Sequence, residues 1–495
     1  MTKPLMVIRA PVGTRSGYGD MSRDIVRHLI NLDKWDIRVK SCPWGNTPMN
    51  ALTQENPKDA IIIERLMTHD NLPRQPEIFI SITVPNEYQP MGKYNIGITA
   101  GIETTGCSPE WVQGMNRMDL ILTISEHSKK VLSGSSYEEV DQATGAKKPL
   151  RLTKPIEVLH NCVDIDIFKR IPSTEIDTLV SDLMVDVKEK FAFLFVGHWL
   201  QGPLGHDRKD VGMLVKVFLE TFRRVPKKNR PALILKTSGA GFSVLDREDL
   251  LKKIDQIKAG FKAKNLPSVY LLHGSFTEPE MNSLFNHPKV KAHVSFTKGE
   301  GFGRPLLEAS MSGKPIIVSG WSGHLDFLNP TESILLSGKL FEVGEGAAWK
   351  GVINADTSWF KVNYQNAANV MHHVWKNYKQ FQSRGRPLIQ KNIDAFNPEA
   401  IQKRTDELME QYLPEFTIAE AVALDLPELP TLKKIKVGGK KKKETRKKKK
   451  EPVEKMSMDA PEGVRGAPVE GVKRAAGDVT TPSAPIEKGG VEIHG

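Results

Sequence analysis

Short apolar runs separated by helical stretches recur in two series along this chain, and that rhythm restricts its fold more than any other feature. In the first series Leu5–Ile8 reads as a buried strand and Gly17–Ile30 as a helix with Met21, Ile25, Val26, Leu29 and Ile30 on its apolar side. Ile78–Ile82, Asn95–Thr99 and Leu120–Ile124 read as further strands. The second series runs through strand Phe191–Val196, helix Val211–Phe222, and strands Ala232–Lys236, Val269–Leu272, His293–Phe296 and Pro315–Val318. Strands with no polar alternation are buried on both faces, as in parallel sheets covered by crossover helices. The expected fold is therefore α/β: two facing doubly wound Rossmann-like domains, with a ligand cleft between them at the carboxyl ends of their strands. The linker is expected between Phe168 and Glu189.

Within the second series, Glu300-Gly-Phe-Gly-Arg-Pro-Leu-Leu-Glu308 follows the apolar run ending at Phe296. The order reads as strand, glycine turn, helix, with Pro305 in the first helical turn, where its missing N–H costs nothing. Free backbone N–H groups at such a turn suit a diphosphate or a sugar hydroxyl. Glu300 in the turn and Glu308 a helical turn inside would flank that seat, one for hexose hydroxyls and one for the ribose of a nucleotide-sugar. By itself the motif reads equally well as a glycine-rich connection with two solvated glutamates.

Other segments in the same order carry a family resemblance. Ser16-Gly-Tyr-Gly-Asp20, Glu103-Thr-Thr-Gly-Cys-Ser-Pro-Glu-Trp111 with Asp119–Ser125, Ile156–Phe168, Arg208-Lys-Asp210, the Glu300–Glu308 element and Trp321–Phe327 together resemble the GT-B glycosyltransferases of the retaining, GT4 type. The resemblance spans roughly residues 5–413. It implies a GT-B fold and metal-independent hexosyl transfer from a nucleotide-diphosphate sugar to an acceptor hydroxyl. Glu300 and Glu103 are the catalytic candidates; Glu103, after a strand-like run, reads either as an acceptor-side group or as a solvated loop glutamate. The implied donor-binding set is Gly17, Gly19, Arg208, Lys209, Gly301, Phe302, Gly303 and Glu308. Gly301 and Gly303 would let backbone N–H groups approach the donor without a Cβ. One departure stands out: many relatives place arginine directly after the glycine that ends the second domain's first strand, and here Gly197 is followed by His198. The diphosphate is therefore assigned to Lys209 and Arg208, arginine being permanently charged and bidentate. Tyr18 reads as a packing residue or a donor contact. His127 and His160 read as loop or core residues more readily than as ligands.

The formal net charge of +11 suggests a polyanion partner, but its location narrows that reading. Residues 433–450 hold 12 Lys/Arg and one Glu, leaving 58 basic and 58 acidic residues elsewhere, so the excess lies in one tail segment. From about residue 425 to 495 the chain is Pro-, Lys-, Glu- and Gly-rich, and disorder is expected because it cannot bury enough apolar surface to offset ordering entropy. Such a tail either solubilises the protein or tethers it, non-specifically and salt-sensitively, to nucleic acid or another anionic surface. The acceptor is left open among a glycan, a lipid, a small molecule and a hydroxymethylated DNA base. A non-catalytic GT-B scaffold and a sugar-nucleotide epimerase are the alternative functions.

No apolar run is long enough to span a membrane, and no signal peptide is read at the N-terminus. The three cysteines (Cys42, Cys107, Cys162) lack metal-ligand spacing, so a reducing, cytoplasmic setting with no metal or cofactor is expected. Asp164-Ile-Asp166 reads as a surface turn. The predicted domains are 1–170 (acceptor side), 171–396 (nucleotide-sugar side), a helix in 397–424 that either crosses back or ends the second domain, and the tail 425–495.

Overall fold

The computed structural model describes residues 3–69, 71–72, 74–140, 145–200, 202–239, 243–263, 265–349, 351–416 and 493–494. Residues 3–416 belong to one compact unit. The Lys-rich segment and the expected disorder of 425–495 lie outside the described residues, Ile493–His494 excepted.

Two parallel sheets form the frame. The first contains β1 (Leu5–Ala10), β2 (Asp36–Ser41), β3 (Ile78–Ile82), β4 (Tyr94–Thr99) and β5 (Leu120–Thr123). A hairpin, β6 (Ser136–Val140) and β7 (Lys147–Arg151), interrupts the series before β8 (Ile156–Val158) closes the sheet in the order β2-β1-β3-β4-β5-β8. The second sheet is built from β9 (Ala192–Val196), β10 (Ala232–Lys236), β11 (Val269–Leu272), β12 (Val290–Ser295), β13 (Ile316–Ser319) and β14 (Ile334–Leu336). A second hairpin, β15 (Gly338–Glu342) with β16 (Ser358–Val362), follows. The strand order is β14-β13-β12-β9-β10-β11, with the two-residue β17 (Ile493–His494) antiparallel at the edge. This is the GT-B arrangement of two Rossmann-like domains.

Burial explains which strands the sequence reveals. Every residue of β3, β5, β11 and β13 is buried, so these strands read as continuous apolar runs. β2 alternates polar and apolar residues at the sheet edge, and such a pattern is weak over six residues. The strand expected at His293–Phe296 is instead Val290–Ser295: the buried Val290 and Ala292 pair with β9, and Phe296 has already left the sheet.

Both sheets reverse strand order at one point, and chains leaving that point in opposite directions open a crevice at the strands' carboxyl ends. In the second sheet the reversal lies between β9 and β12. The loop carrying Arg208 and Lys209 follows β9, and the loop carrying Glu300 follows β12. Topology alone thus brings together residues about 90 positions apart.

The last helix, Pro398–Tyr412, is capped by Asn397, whose side chain accepts from Ala400 N–H at 2.7 Å. It runs along the helix Gly17–Leu32 of the first domain. Lys34 pairs with Glu410 at 2.9 Å and with Asp406, and Tyr412 donates to Glu157 at 2.8 Å.

Candidate active site

Glu300 is the hub of a buried charge cluster between the two sheets. It is 6% exposed, accepts from Lys209 Nζ at 2.5 Å and from Arg208 Nη1 at 3.3 Å. Burial works against its charge, but Lys209 and then Arg208 outweigh it, and the carboxyl is pulled down to about 2. Arg208 also donates to the Gly299 carbonyl at 2.9 Å and lies 3.7 Å from Glu103, which reaches in from the first domain. Burial raises the Glu103 carboxyl, Arg208 opposes it, and nearby Glu300 adds to the rise. Two cations thus face two carboxylates of unequal proton affinity.

The backbone around Glu300 is fixed from two sides. Its N–H donates to Ser322 Oγ at 2.9 Å and its carbonyl accepts from Gly323 at 3.0 Å. Ser322 itself has φ +86°, a left-handed conformation that a side chain adopts only under constraint. Neither Ser322 nor the strain at it was foreseen from sequence; only its place in the Trp321–Phe327 motif pointed to it.

Several of these glycines are also required sterically. A Cβ on Gly301 would lie 2.1 Å from the Ala100 carbonyl oxygen, and one on Gly299 would lie 1.9 Å from that of Glu103. The space beside the turn is filled by first-domain backbone. Gly303 has φ +96° and starts the helix Arg304–Ser310. Gly19 is closed off by Thr14, whose carbonyl oxygen is 2.2 Å from the would-be Cβ, and its N–H is taken by Ser16 Oγ at 3.0 Å. Gly17 is exposed, with open space around it. Phe302 turns its ring into an aromatic cluster with Phe327 and Phe396 at 4.9 and 5.9 Å. Its side chain is core, leaving only its backbone for the turn.

Glu308 has a different environment. Arg304, one helical turn earlier, donates to it at 2.9 Å. The same guanidinium reaches Asp24 and Glu278 at 3.3 Å and Asp20 at 4.0 Å, so one cation serves four carboxylates from both domains. Burial raises the Glu308 carboxyl, Arg304 only partly offsets it, and Glu278 and Asp20 add to the rise, which reaches about 8.

The remaining candidates lie at the margins. His198 is exposed and bonds Ser238 Oγ at 3.1 Å. His160 pairs with Asp326 at 2.9 Å, and His127 packs edge-on against Trp321 with burial lowering it to about 4. Tyr18 bonds Thr99 at 3.0 Å and stacks on Trp44 at 3.9 Å. Asp164 forms a surface turn, accepting from Asp166 N–H at 3.1 Å and pairing with Lys58. Among the described residues no group of three or more His, Cys, Asp and Glu could hold a metal ion, and no helix is long and apolar enough to cross a membrane.

Comparison with known proteins bears on the fold. Residues 214–355 match the family model "Glycosyl transferases group 1". The structure of Anabaena Alr3699/HepE in complex with UDP and glucose is similar at TM-score 0.53 and 15% identity, covering 82% of this chain and 100% of that one. Sucrose-phosphate synthase from Thermosynechococcus elongatus is similar at TM-score 0.52 and 13% identity, covering 83% and 99%. A glycosyltransferase from Rickettsia africae is similar at TM-score 0.52 and 11% identity, again covering 83% and 99%. No curated protein sequence matches. The chain has the fold of the GT-B glycosyltransferases, and its second domain carries the group 1 pattern.

Proposed function

We propose that this protein is a retaining glycosyltransferase that moves a hexosyl group from a nucleoside-diphosphate sugar to an acceptor hydroxyl. The observation that carries this reading is Glu300 held between Lys209 and Arg208 where the second sheet reverses, with Glu103 facing it from the first domain. In the reaction the bond from the anomeric carbon to the diphosphate breaks and negative charge gathers on the departing group. Lys209 and Arg208 supply the fixed counter-charge, which stabilises that state most in a water-poor cleft. Glu300 holds sugar hydroxyls and Glu308 the ribose. Glu103, raised in proton affinity by burial, faces the acceptor side and can exchange a proton there. We assign residues 1–170 to the acceptor and 171–396 to the donor. The complex of HepE with UDP and glucose makes UDP-glucose the first donor to try.

The test is nucleotide release from UDP-, GDP- and ADP-sugars, with chelator present, by the wild type and by Glu300→Ala. Release from one donor, lost in the folded variant, is the expected result. Equal release by both proteins would refute the assignment of Glu300. Release sustained in chelator is also expected, the diphosphate being served by the two basic side chains.

A second reading of the acceptor rests on the Lys-rich run at 433–450: a hydroxymethylated base in DNA, for which a polycationic tail would raise local affinity. Deleting 433–495 should then weaken transfer to DNA at physiological salt while sparing donor hydrolysis. Unchanged DNA affinity and rate would remove this acceptor.

A further inference from the structure

Directly behind the cation pair lies a charged side chain that none of the roles above uses. Lys298 is 1% exposed and pairs at 2.9 Å with Asp210, which is wholly buried. Its ammonium also donates to the Asp207 carbonyl at 2.6 Å and stands over the Trp359 ring at 5.4 Å. Its backbone N–H donates to the Arg208 carbonyl at 2.8 Å. Asp210 Oδ2 accepts from the Tyr364 hydroxyl at 2.8 Å, and Asp210 has φ +54°. Asp207 in turn accepts from Val211 N–H at 2.9 Å at the start of the following helix. The four residues Asp207–Asp210 are thus pinned on both sides of Arg208 and Lys209, and Lys298 makes three of those attachments.

We propose that Lys298 is a positioning residue for glycosyl transfer: its buried ammonium holds the Arg208–Lys209 turn so that both cations converge on Glu300. The inference rests on the transferase reading above. Lys298, Gly299 and Glu300 are consecutive, and the Gly299 carbonyl accepts from Arg208 at 2.9 Å. One three-residue stretch therefore fixes the carboxylate and, through Lys298, the backbone of the cations that meet it. A purely stabilising role fits less well. An apolar side chain of similar length would pack there without desolvating a charge, and replacing buried ion pairs by apolar residues is often neutral for stability. What the lysine adds is direction: a point charge that donates to a carbonyl while ion-paired with a carboxylate holds a turn in one conformation. Small misplacement of groups aimed at a developing charge costs rate far more than it costs binding.

The test compares Lys298→Met with the double variant Lys298→Met/Asp210→Asn, measuring melting temperature, kcat and donor KM by nucleotide release. The single variant leaves a buried carboxylate unpaired and should melt earlier. The double variant removes both charges and should recover a melting temperature within about 3 °C of wild type. Its kcat should stay at least about 10-fold down while donor KM moves less than about 3-fold. Wild-type kcat in the double variant would overturn the proposal, since a merely structural pair is then all that was lost. Should the double variant not fold, Lys298→Met assayed well below its own melting temperature decides: kcat at least about 10-fold down with donor KM moved less than about 3-fold is expected. Wild-type kcat in that variant would overturn the proposal equally. Glu300→Ala is assayed alongside. Full turnover in Glu300→Ala sinks the transferase site itself, whereas an inactive Glu300→Ala beside a fully active double variant sinks only the role of Lys298.

Discussion

Glu300 and Glu308 belong to one element, stand eight positions apart and are both shielded from solvent, yet they hold their protons oppositely. Glu300 is held by Lys209 and Arg208, shares Arg208 with Glu103, and is drawn down to about 2. Glu308 shares a single arginine with Asp20, Asp24 and Glu278 and is pushed up to about 8. Burial raises both, so the balance of neighbouring charge decides the outcome. A carboxylate fixed as an anion beside two cations suits a reacting centre. One kept close to neutral suits hydrogen bonding to a neutral hydroxyl.

The strongest way to break this contrast is Glu300→Gln. Loss of the anion unties Lys209 and Arg208, and transfer should fall at least about 1,000-fold, read as nucleotide release. Activity within tenfold of wild type would show that the two-cation pocket is not the reacting centre. At the other end, Arg304→Leu leaves four carboxylates from both domains without their shared cation. Stability should drop by about 3 kcal/mol in urea unfolding, and an unchanged midpoint would mean solvent already screens that cluster.

The pH dependence sharpens the comparison because the two groups act with opposite sign. The folded chain holds the Glu308 proton up to about 8, whereas an unfolded carboxyl releases it near 4.5. Native protein therefore binds more protons through that window, and stability from this group falls as pH rises from 4.5 to 8. Glu300 does the reverse: its contribution is present above 4.5 and is lost as pH falls toward 2. Glu308→Gln should accordingly remove on the order of 2 kcal/mol of the wild-type decline between pH 5 and pH 8. Parallel declines in the two proteins would contradict a raised Glu308.

A smaller effect separates the glycines. Gly301→Ala drives a methyl into the Ala100 carbonyl and should cost about 2 kcal/mol together with weaker donor turnover. Gly17→Ala meets open space at the first turn of a helix and should change stability by less than about 1 kcal/mol. Equal effects would show that the loop from Ala100 to Glu103 does not bear on the Glu300 turn.

Much of this was readable before any coordinates. Uninterrupted apolar runs announce strands buried on both faces, and glycine, proline and glutamate in Glu300–Glu308 announce a strand-to-helix turn with two carboxylates, because these signals are local. Edge strands such as Asp36–Ser41 are hard to read because their alternation is half polar, and nothing local in the sequence shows that the Phe302 ring faces the core. The partners of each charge were equally out of reach. Arg304 meets Asp24 across 280 positions, and Lys298 meets Asp207 across 91. By itself, then, the sequence determined the two-sheet architecture and the identity of the candidate carboxylates and cations. Which carboxylate is an anion, which glycine is filled by another domain's backbone and which lysine is buried were decided only by tertiary structure. Proton affinity and steric fit depend on the distance and desolvation of groups that folding brings together, and periodicity along a chain carries no record of either.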